Sequence, residues 1–246
     1  NNLTLTNGDF DFSDRVLTMT GNLAVTTGDL LADADAQLIL NGTNAFVIPS
    51  SVNILANLNI NRTNGVTMGG DLAIDENLTL DQAFTVAANR LTIKNNITGG
   101  ANLVAGATSK ITIAGSMAGV NLPAHITALS EFNLANVQGT TMQNDLVVTT
   151  LNLDAGVITL GTYDLSATTI DGGSASAFVV ANASLPGYGK LIVTGTTNEL
   201  LPIGYSATAY TPVTITNNVA ANVSAAVEYI TVMGDFEGPV PSPNYV

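Results

Sequence analysis

The chain has 246 residues, of which 46% are hydrophobic and 10% are charged, and its formal net charge is −13 at pH 7. Six cationic side chains neutralise few phosphates, so this composition excludes nucleic acids and anionic membrane surfaces as favoured partners. The hydrophobic fraction is large enough to bury a core, which excludes an intrinsically disordered chain.

The start of the sequence shows no basic region followed by an apolar core, so we expect any targeting signal to lie outside this chain. The longest uncharged stretches, such as residues 111–130, contain Asn, His, Pro and Gly, which argues against a membrane span. Cysteine is absent, so disulfides and thiolate chemistry are excluded. We interpret the sequence as a soluble mature fragment without membrane insertion.

Short runs of alternating apolar and polar residues recur along the whole chain. Period-two alternation with many β-branched residues, interrupted by Gly and Asn, is typical of strands, whereas no segment shows a helical stripe with caps. The sequence therefore predicts an all-β chain. The clearest runs are Leu3-Thr4-Leu5, Val16-Leu17-Thr18-Met19, Leu38-Ile39-Leu40, Leu58-Asn59-Ile60, Ile111-Thr112-Ile113, Leu151-Asn152-Leu153 and Val213-Thr214-Ile215.

Similar segments return at a constant displacement along the chain. Leu58-Asn59-Ile60 resembles Phe132-Asn133-Leu134, and Gly65-Val66-Thr67-Met68 resembles Gly139-Thr140-Thr141-Met142 at the same displacement. Self-similarity at a fixed spacing is typical of stacked architectures. The repetition predicts a unit of about 74 residues that runs from the first residues to roughly Gly195.

A unit of this length, divided into three coils, gives about 25 residues per coil, which suits a solenoid with a few short strands in each coil. Stacked coils pair each strand with its equivalents about 4.8 Å above and below, and inward side chains then form continuous apolar ladders. We therefore predict a parallel β-helix, or β-solenoid, built from such repeat units. A β-sandwich with Greek-key connections is the alternative, because simple alternation fits both folds.

The composition changes after about Asn198, where four of the six tyrosines and five of the eight prolines are found. We predict a β-solenoid over residues 1–197, a C-terminal β segment over 198–238 and a proline-rich linker or tail over 239–246. The C-terminal segment is expected to pack on the last coil or to complete its sheet with strands from another chain.

Three segments carry a resemblance to a known family: residues 60–68, residues 151–160, and the Pro-Ile-Gly and Tyr-Thr-Pro-Val-Thr motifs within residues 201–215. They resemble the repeat-rich, β-helical surface proteins and adhesins that Bacteroidetes-type bacteria export by type IX secretion. The resemblance implies an extracellular, surface-attached protein with a structural or adhesive role. It transfers no functional residues, because the matching positions belong to the scaffold.

Residues that could support chemistry are few. His125 is the only histidine and lacks a nucleophile motif, so we interpret it as a turn or surface residue. Asp29, Asp33 and Asp35 form an oxygen-rich cluster that could hold calcium, although their spacing does not match an EF-hand, and a solvated turn is favoured.

A second acidic group contains Asp71, Asp75, Glu76 and Asp81. A carboxylate pair on adjacent coils could serve a glycoside hydrolase or a lyase. Asp71 and Asp81 have acidic counterparts one unit later, at Asp145 and Asp154, which favours repeated turn residues over a unique active site.

We therefore expect a non-catalytic structural protein outside the cell, a building block of a surface filament or elongated adhesin. It is expected to need no cofactor or metal and to associate with neighbouring repeats or copies of itself, with surface glycans as a further partner. The alternatives are a β-helical polysaccharide lyase or hydrolase and a passive glycan-binding module.

Overall fold

The computed structural model describes residues 2–184 and 186–228. These residues form a nearly all-β structure, a parallel β-solenoid of about ten turns, which confirms the predicted fold class. None of the described residues belongs to a helix long and apolar enough to cross a membrane.

Twenty-four strands and one 3₁₀ turn, Gly100–Asn102, follow one another along the described chain. The strands are β1 (Leu3–Leu5), β2 (Phe10–Asp11), β3 (Val16–Met19), β4 (Leu23–Val25), β5 (Leu30–Leu31), β6 (Gln37–Gly42), β7 (Phe46–Ile48), β8 (Ile54–Arg62), β9 (Val66–Met68), β10 (Leu72–Leu80), β11 (Phe84–Thr85), β12 (Arg90–Ile93), β13 (Asn96–Thr98), β14 (Leu103–Val104), β15 (Lys110–Gly115), β16 (Ala128–Asn136), β17 (Thr140–Thr141), β18 (Leu146–Thr159), β19 (Leu165–Gly172), β20 (Ala177–Val180), β21 (Leu191–Leu201), β22 (Ile203–Ser206), β23 (Ala209–Tyr210) and β24 (Val213–Ala225).

The largest sheet follows the stacking direction. Starting from β3, it passes through β6, β8, β10, β12, β15, β16, β18, β19 and β21, and each of these neighbours pairs in parallel. A four-stranded sheet of β7, β9, β11 and β14 and two small sheets, β1 with β4 and β2 with β5, form other parts of the wall. Each turn of the chain therefore adds one rung to several sheets.

Strand register gives the length of a coil directly. Val66 pairs with Phe84 and Val16 pairs with Gln37, so one circuit of the chain takes about 20 residues in this part of the stack. Coils near the C-terminal end are longer, and Thr168 and Thr194, which meet across one coil, are 26 residues apart. The expected coil of about 25 residues is thus too long for most of the stack, because short strands and tight corners close a shorter circuit.

The predicted repeat unit is not confirmed by the stacking. Leu58 pairs with Leu38 on one side and Leu78 on the other, whereas Phe132 pairs with Ile111 and Leu151. The ladder of Phe132 leads back through Ile111 and Leu91 to Leu72, which is a different position of the strand that contains Leu78. The two similar tripeptides consequently occupy different ladders.

The core is a set of apolar ladders in the interior of the coils. One ladder consists of side chains at successive rungs that are at most 2% exposed: Leu72, Leu91, Ile111, Phe132 and Leu151. Each fully buried side chain of this kind contributes about 1.5 to 3 kcal/mol relative to an exposed one. Period-two alternation decides which side chains enter the ladder, and the polar residues between them face outward.

The two ends of the stack differ. In the first coil, β1, β2 and β3 each pair with one strand of the second coil, β4, β5 and β6 respectively. At the other end, β24 pairs antiparallel with β21, and β23 pairs antiparallel with β22. β21 runs across the predicted boundary at residues 197 and 198, and residues 229–246, which include the predicted tail, lie outside the described residues.

Candidate functional site

His125 lies exposed in a turn, as its sequence context predicts. Its Nε2 donates a hydrogen bond to the backbone carbonyl oxygen of Leu103, at 2.7 Å, across one coil. This hydrogen bond therefore connects the turn that contains His125 to the preceding coil.

The first acidic cluster is built differently from the predicted one. The carboxylates of Asp33 and Asp35 lie within 4.8 Å of each other and of Asp14, whereas Asp29 is not part of the group. Asp33 Oδ1 accepts the backbone N–H groups of Asp14 and Asp35, at 3.2 and 3.1 Å. Asp29 instead donates its backbone N–H to the carboxylate of Asp9. Carboxylates here satisfy turn N–H groups, and sequence reasoning missed Asp14 because it comes from the previous coil.

The second acidic group is divided among separate partners. Asp75 forms an ion pair with Lys94 at 2.7 Å, Glu76 accepts a hydrogen bond from Asn57 Nδ2 at 3.2 Å, and Asp71 Oδ1 accepts the backbone N–H of Arg90 at 2.8 Å. Each contact joins neighbouring coils. Among the described residues, the one group of three or more potential metal ligands brought together is the Asp14, Asp33 and Asp35 cluster.

Carboxylates at the starts of strands repeat one hydrogen-bonding role. Asp145 Oδ1 accepts the backbone N–H of Asp164, and Asp164 Oδ1 accepts that of Lys190, both at 2.8 Å. Asp71 does the same for Arg90, and each acceptor directly precedes a strand. The interpretation of Asp71 and Asp145 as turn residues agrees with this geometry, because such a bond satisfies an edge N–H of the next coil. The same interpretation is wrong for Asp154, which lies within β18 and accepts a hydrogen bond from Asn133 Nδ2 at 2.9 Å.

An ion pair that sequence reasoning missed spans two coils on the outer face. Arg90 Nη1 and Nη2 donate to the two carboxylate oxygens of Glu131, each at 2.8 Å, and Asn152 Nδ2 donates to Glu131 Oε1 at 2.6 Å. The bidentate hydrogen bond with Arg90 lowers the pKa of Glu131 and raises the pKa of Arg90. This network of side-chain hydrogen bonds connects β12, β16 and β18, and we call it the Arg90–Glu131 brace.

Arg62 is fully buried at the end of β8. Its guanidinium lies 4.7 Å from the centre of the Phe46 ring and donates hydrogen bonds to three backbone carbonyl oxygens, those of Met19, Gly21 and Asn44. Burial lowers the pKa of this group. A single planar side chain thus joins three successive coils from the inside, which no spacing in the sequence predicts.

The outermost strands of the large sheet present a different kind of site. β3 pairs only with β6, and β24 pairs only with β21, among the strands of the described residues. Neither strand contains a charged residue, and Val16 and Val219 are 59% and 72% exposed. Natural sheets usually protect free edges with Lys, other charges or Pro, so unprotected edges favour pairing with another strand. We define β3 and β24 as the edge strands.

The chain matches no protein-family model, no curated protein and no solved structure.

Proposed function

We propose that this protein is a structural building block of an extracellular filament or elongated adhesin, without catalytic activity. The observation that carries the proposal is the pair of uncharged edge strands at opposite ends of one continuous sheet. A stack of coils whose terminal strands can accept further strands is suited to extension by copies of itself.

The contact between copies joins β3 of one molecule to β24 of the next. All pairings along the large sheet from β3 to β21 are parallel, and β24 runs antiparallel to β21. A junction between the edge strands is therefore antiparallel and continues the sheet. Because it joins two different surfaces, it is heterologous, and its repetition gives an open filament.

The role of such a filament is mechanical. The parallel ladder, the Arg90–Glu131 brace and the buried Arg62 all connect successive coils, so tension along the axis is shared by many contacts. The resemblance to type IX-exported surface proteins supports an extracellular location, and surface glycans are a further partner of an adhesin of this kind.

Charged substitutions on the edge strands test the proposal. Purified wild-type protein is expected to form polymers that grow with concentration, measured by analytical ultracentrifugation and seen by electron microscopy. Val219→Lys and Val16→Lys each place a charge on one edge and are expected to block growth, whereas mixing the two variants permits only dimers, through the edge that each leaves intact.

The matched control is Val137→Lys, at an exposed turn position that is 62% exposed and away from both edges. It should polymerise like the wild type. A wild-type protein that stays monomeric at every concentration contradicts the proposal. A wild-type dimer that only Val219→Lys disrupts contradicts the filament, because it indicates an isologous contact between two β24 strands.

A further inference from the structure

One coil of the solenoid has a loop where its neighbours have a strand. The coil before it contributes β14 and the coil after it contributes β17 at the corresponding stage of the circuit, whereas residues 116–127, between β15 and β16, contain no strand. On the preceding coil, Gly100–Asn102 is the one 3₁₀ turn of the described chain. Binding residues tend to lie on loops that a rigid scaffold positions, so these two departures from the regular stack are typical of a binding site.

A cavity of about 550 Å³ lies where this loop faces the 3₁₀ turn, and its volume is within the usual range for small-molecule sites. A second cavity of about 150 Å³ shares Gly119 and Asn121 with the first. Gly119 has no side chain to divide the two, and a Cβ at that position would meet nothing within 4 Å. The two cavities therefore form one continuous depression, which we call the loop groove.

Three side chains that line the loop groove have hydrogen-bonding atoms to spare. His125 Nε2 donates to the carbonyl oxygen of Leu103, so Nδ1 of the neutral ring is an acceptor. Asn121 Oδ1 accepts the backbone N–H of Thr141 at 2.9 Å, which leaves its Nδ2 group as a donor. Gln143 Nε2 donates to the carbonyl oxygen of Thr141 at 3.4 Å, which leaves Oε1 as an acceptor. Within residues 2–184 and 186–228, no hydrogen bond occupies these three remaining groups.

The other side chains of the loop groove are uncharged. Ile97, Leu122 and Pro123 form an apolar part of the lining, and Leu122 is 4% exposed. Apart from His125, no residue that lines either cavity has an ionisable side chain, although the whole chain has a net charge of −13. An anionic ligand would meet no cation here and a cationic ligand no carboxylate, so the groove favours an uncharged ligand.

We infer that the loop groove binds a neutral oligosaccharide, an inference that rests on the proposed function and gives the adhesin a site for its glycan partner. A sugar hydroxyl both donates and accepts hydrogen bonds, which matches the donor on Asn121 and the acceptors on His125 and Gln143. The C–H face of a sugar ring can pack against Ile97 and Pro123. An extended peptide suits the groove less well, because strand addition needs a free strand and residues 116–127 contain none.

The probes are four neutral tetrasaccharides, namely cellotetraose, maltotetraose, mannotetraose and chitotetraose, and the acidic tetragalacturonate is the control. The titrations use the Val219→Lys protein, whose polymer growth is expected to be blocked, so that its NMR signals stay narrow. His125 is the only histidine, so the signals of its ring report on the groove without further assignment. At least one neutral probe is expected to shift these signals saturably, with a dissociation constant of about 1 mM or lower. No saturable shift with any of the four at about 10 mM, or an equal shift with tetragalacturonate, overturns the inference.

Two further substitutions locate the binding in the loop groove. Ala101→Trp fills the groove from the 3₁₀ turn and is expected to abolish binding, while Ala88→Trp is the matched control, since Ala88 is exposed in a turn and does not line the groove. Gln143→Ala removes one acceptor and is expected to weaken binding roughly threefold or more. Unchanged binding by either groove variant, with thermal unfolding showing that it is folded, contradicts the inference.

Polymerisation and sugar binding can fail independently. Neither β3 nor β24 contributes a residue to either cavity, so Ala101→Trp without the Val219 substitution is expected to polymerise like the wild type in analytical ultracentrifugation. A wild-type protein that polymerises, together with a Val219→Lys protein that binds none of the probes, contradicts the groove alone. A wild-type protein that stays monomeric, together with a Val219→Lys protein that binds a neutral probe, contradicts the filament alone.

Discussion

Arg62 carries a charge into the interior, and its hydrogen bonds run to backbone carbonyl oxygens, so its energetic role differs from that of a surface ion pair. We predict that Arg62→Met lowers stability, because a buried carbonyl group without a donor costs about 1 to 3 kcal/mol. Arg62→Lys should recover only part of the loss, since an ammonium lacks the planar fork and the stack on Phe46. Thermal and urea unfolding measure the effect.

The control for this prediction is Arg15→Met, at an exposed position in the first coil. It removes the same charge and should change the free energy of unfolding little. Equal losses in the free energy of unfolding for Arg62→Met and Arg15→Met would contradict the role of Arg62 as a link between coils. An Arg62→Met protein as stable as the wild type would contradict it as well.

The Arg90–Glu131 brace gives a pH-dependent contribution to stability. The pKa of Glu131 is lowered in the folded state by its hydrogen bond with Arg90, so the stabilisation is complete above the ordinary glutamate pKa and is lost as the pH falls through the lowered one. Glu131→Gln is expected to cost about 1 to 2 kcal/mol at pH 7 and progressively less below pH 4. The difference in unfolding midpoint between wild type and variant, followed from pH 7 to pH 3, measures this.

The matched control is Glu228→Gln, at an exposed position, which should change the unfolding midpoint only slightly at every pH. If the Glu131→Gln protein loses as much stability at pH 3 as at pH 7, the carboxylate form of Glu131 is not what stabilises the brace.

At the scale of the element, stacked turns place glycine where a neighbouring backbone comes very close. Gly28 has a φ of +100°, and a Cβ there would overlap the carbonyl oxygen of Gly8 in the coil before. Gly8 itself has a φ of +86°, but a Cβ at that position would meet nothing within 4 Å. The two glycines thus share a left-handed conformation and differ in free space.

We predict that Gly28→Ala destabilises the protein more than Gly8→Ala. Both substitutions incur the left-handed backbone cost of about 1 to 2 kcal/mol, and only Gly28→Ala also forces two coils apart. Chemical denaturation of the two variants gives the comparison. Equal losses would mean that the backbone conformation alone, and not contact between coils, requires glycine at residue 28.

The sequence contains enough information for the strands but not for the circuit that joins them. Alternation alone identifies pairs such as Leu38 with Leu40 as core positions, because burial on one face of a strand has a period of two. Coil length depends on the turns, which range over several lengths and lack a common motif. The similarity between residues 58–60 and 132–134 therefore reflects similar local environments on different ladders, not one shared ladder.

The unknown coil length also explains why the sequence did not predict the contacts at the candidate sites. Asp14 and Asp33 lie one coil apart, and only a known coil length brings them together. Arg62 and the Arg90–Glu131 pair likewise depend on contacts over two coils. The antiparallel pairing of β21 with β24 could not be predicted from a repeat, because stacked equivalent coils pair their strands in parallel.

At the scale of the whole molecule, a solenoid in which each coil contacts mainly its neighbours tolerates the loss of a complete coil. Arg90 pairs with Lys110, so deleting residues 91–110 joins equivalent positions and keeps Leu72 and Ile111 on one ladder. We expect this variant to fold with β-rich circular dichroism, a lower unfolding midpoint and a length shorter by about 4.8 Å in X-ray scattering. Deleting residues 91–100 removes half a coil, misaligns every later rung and should abolish cooperative unfolding. Equal tolerance of both deletions would contradict the view that register between coils, and not local strand propensity, specifies this fold.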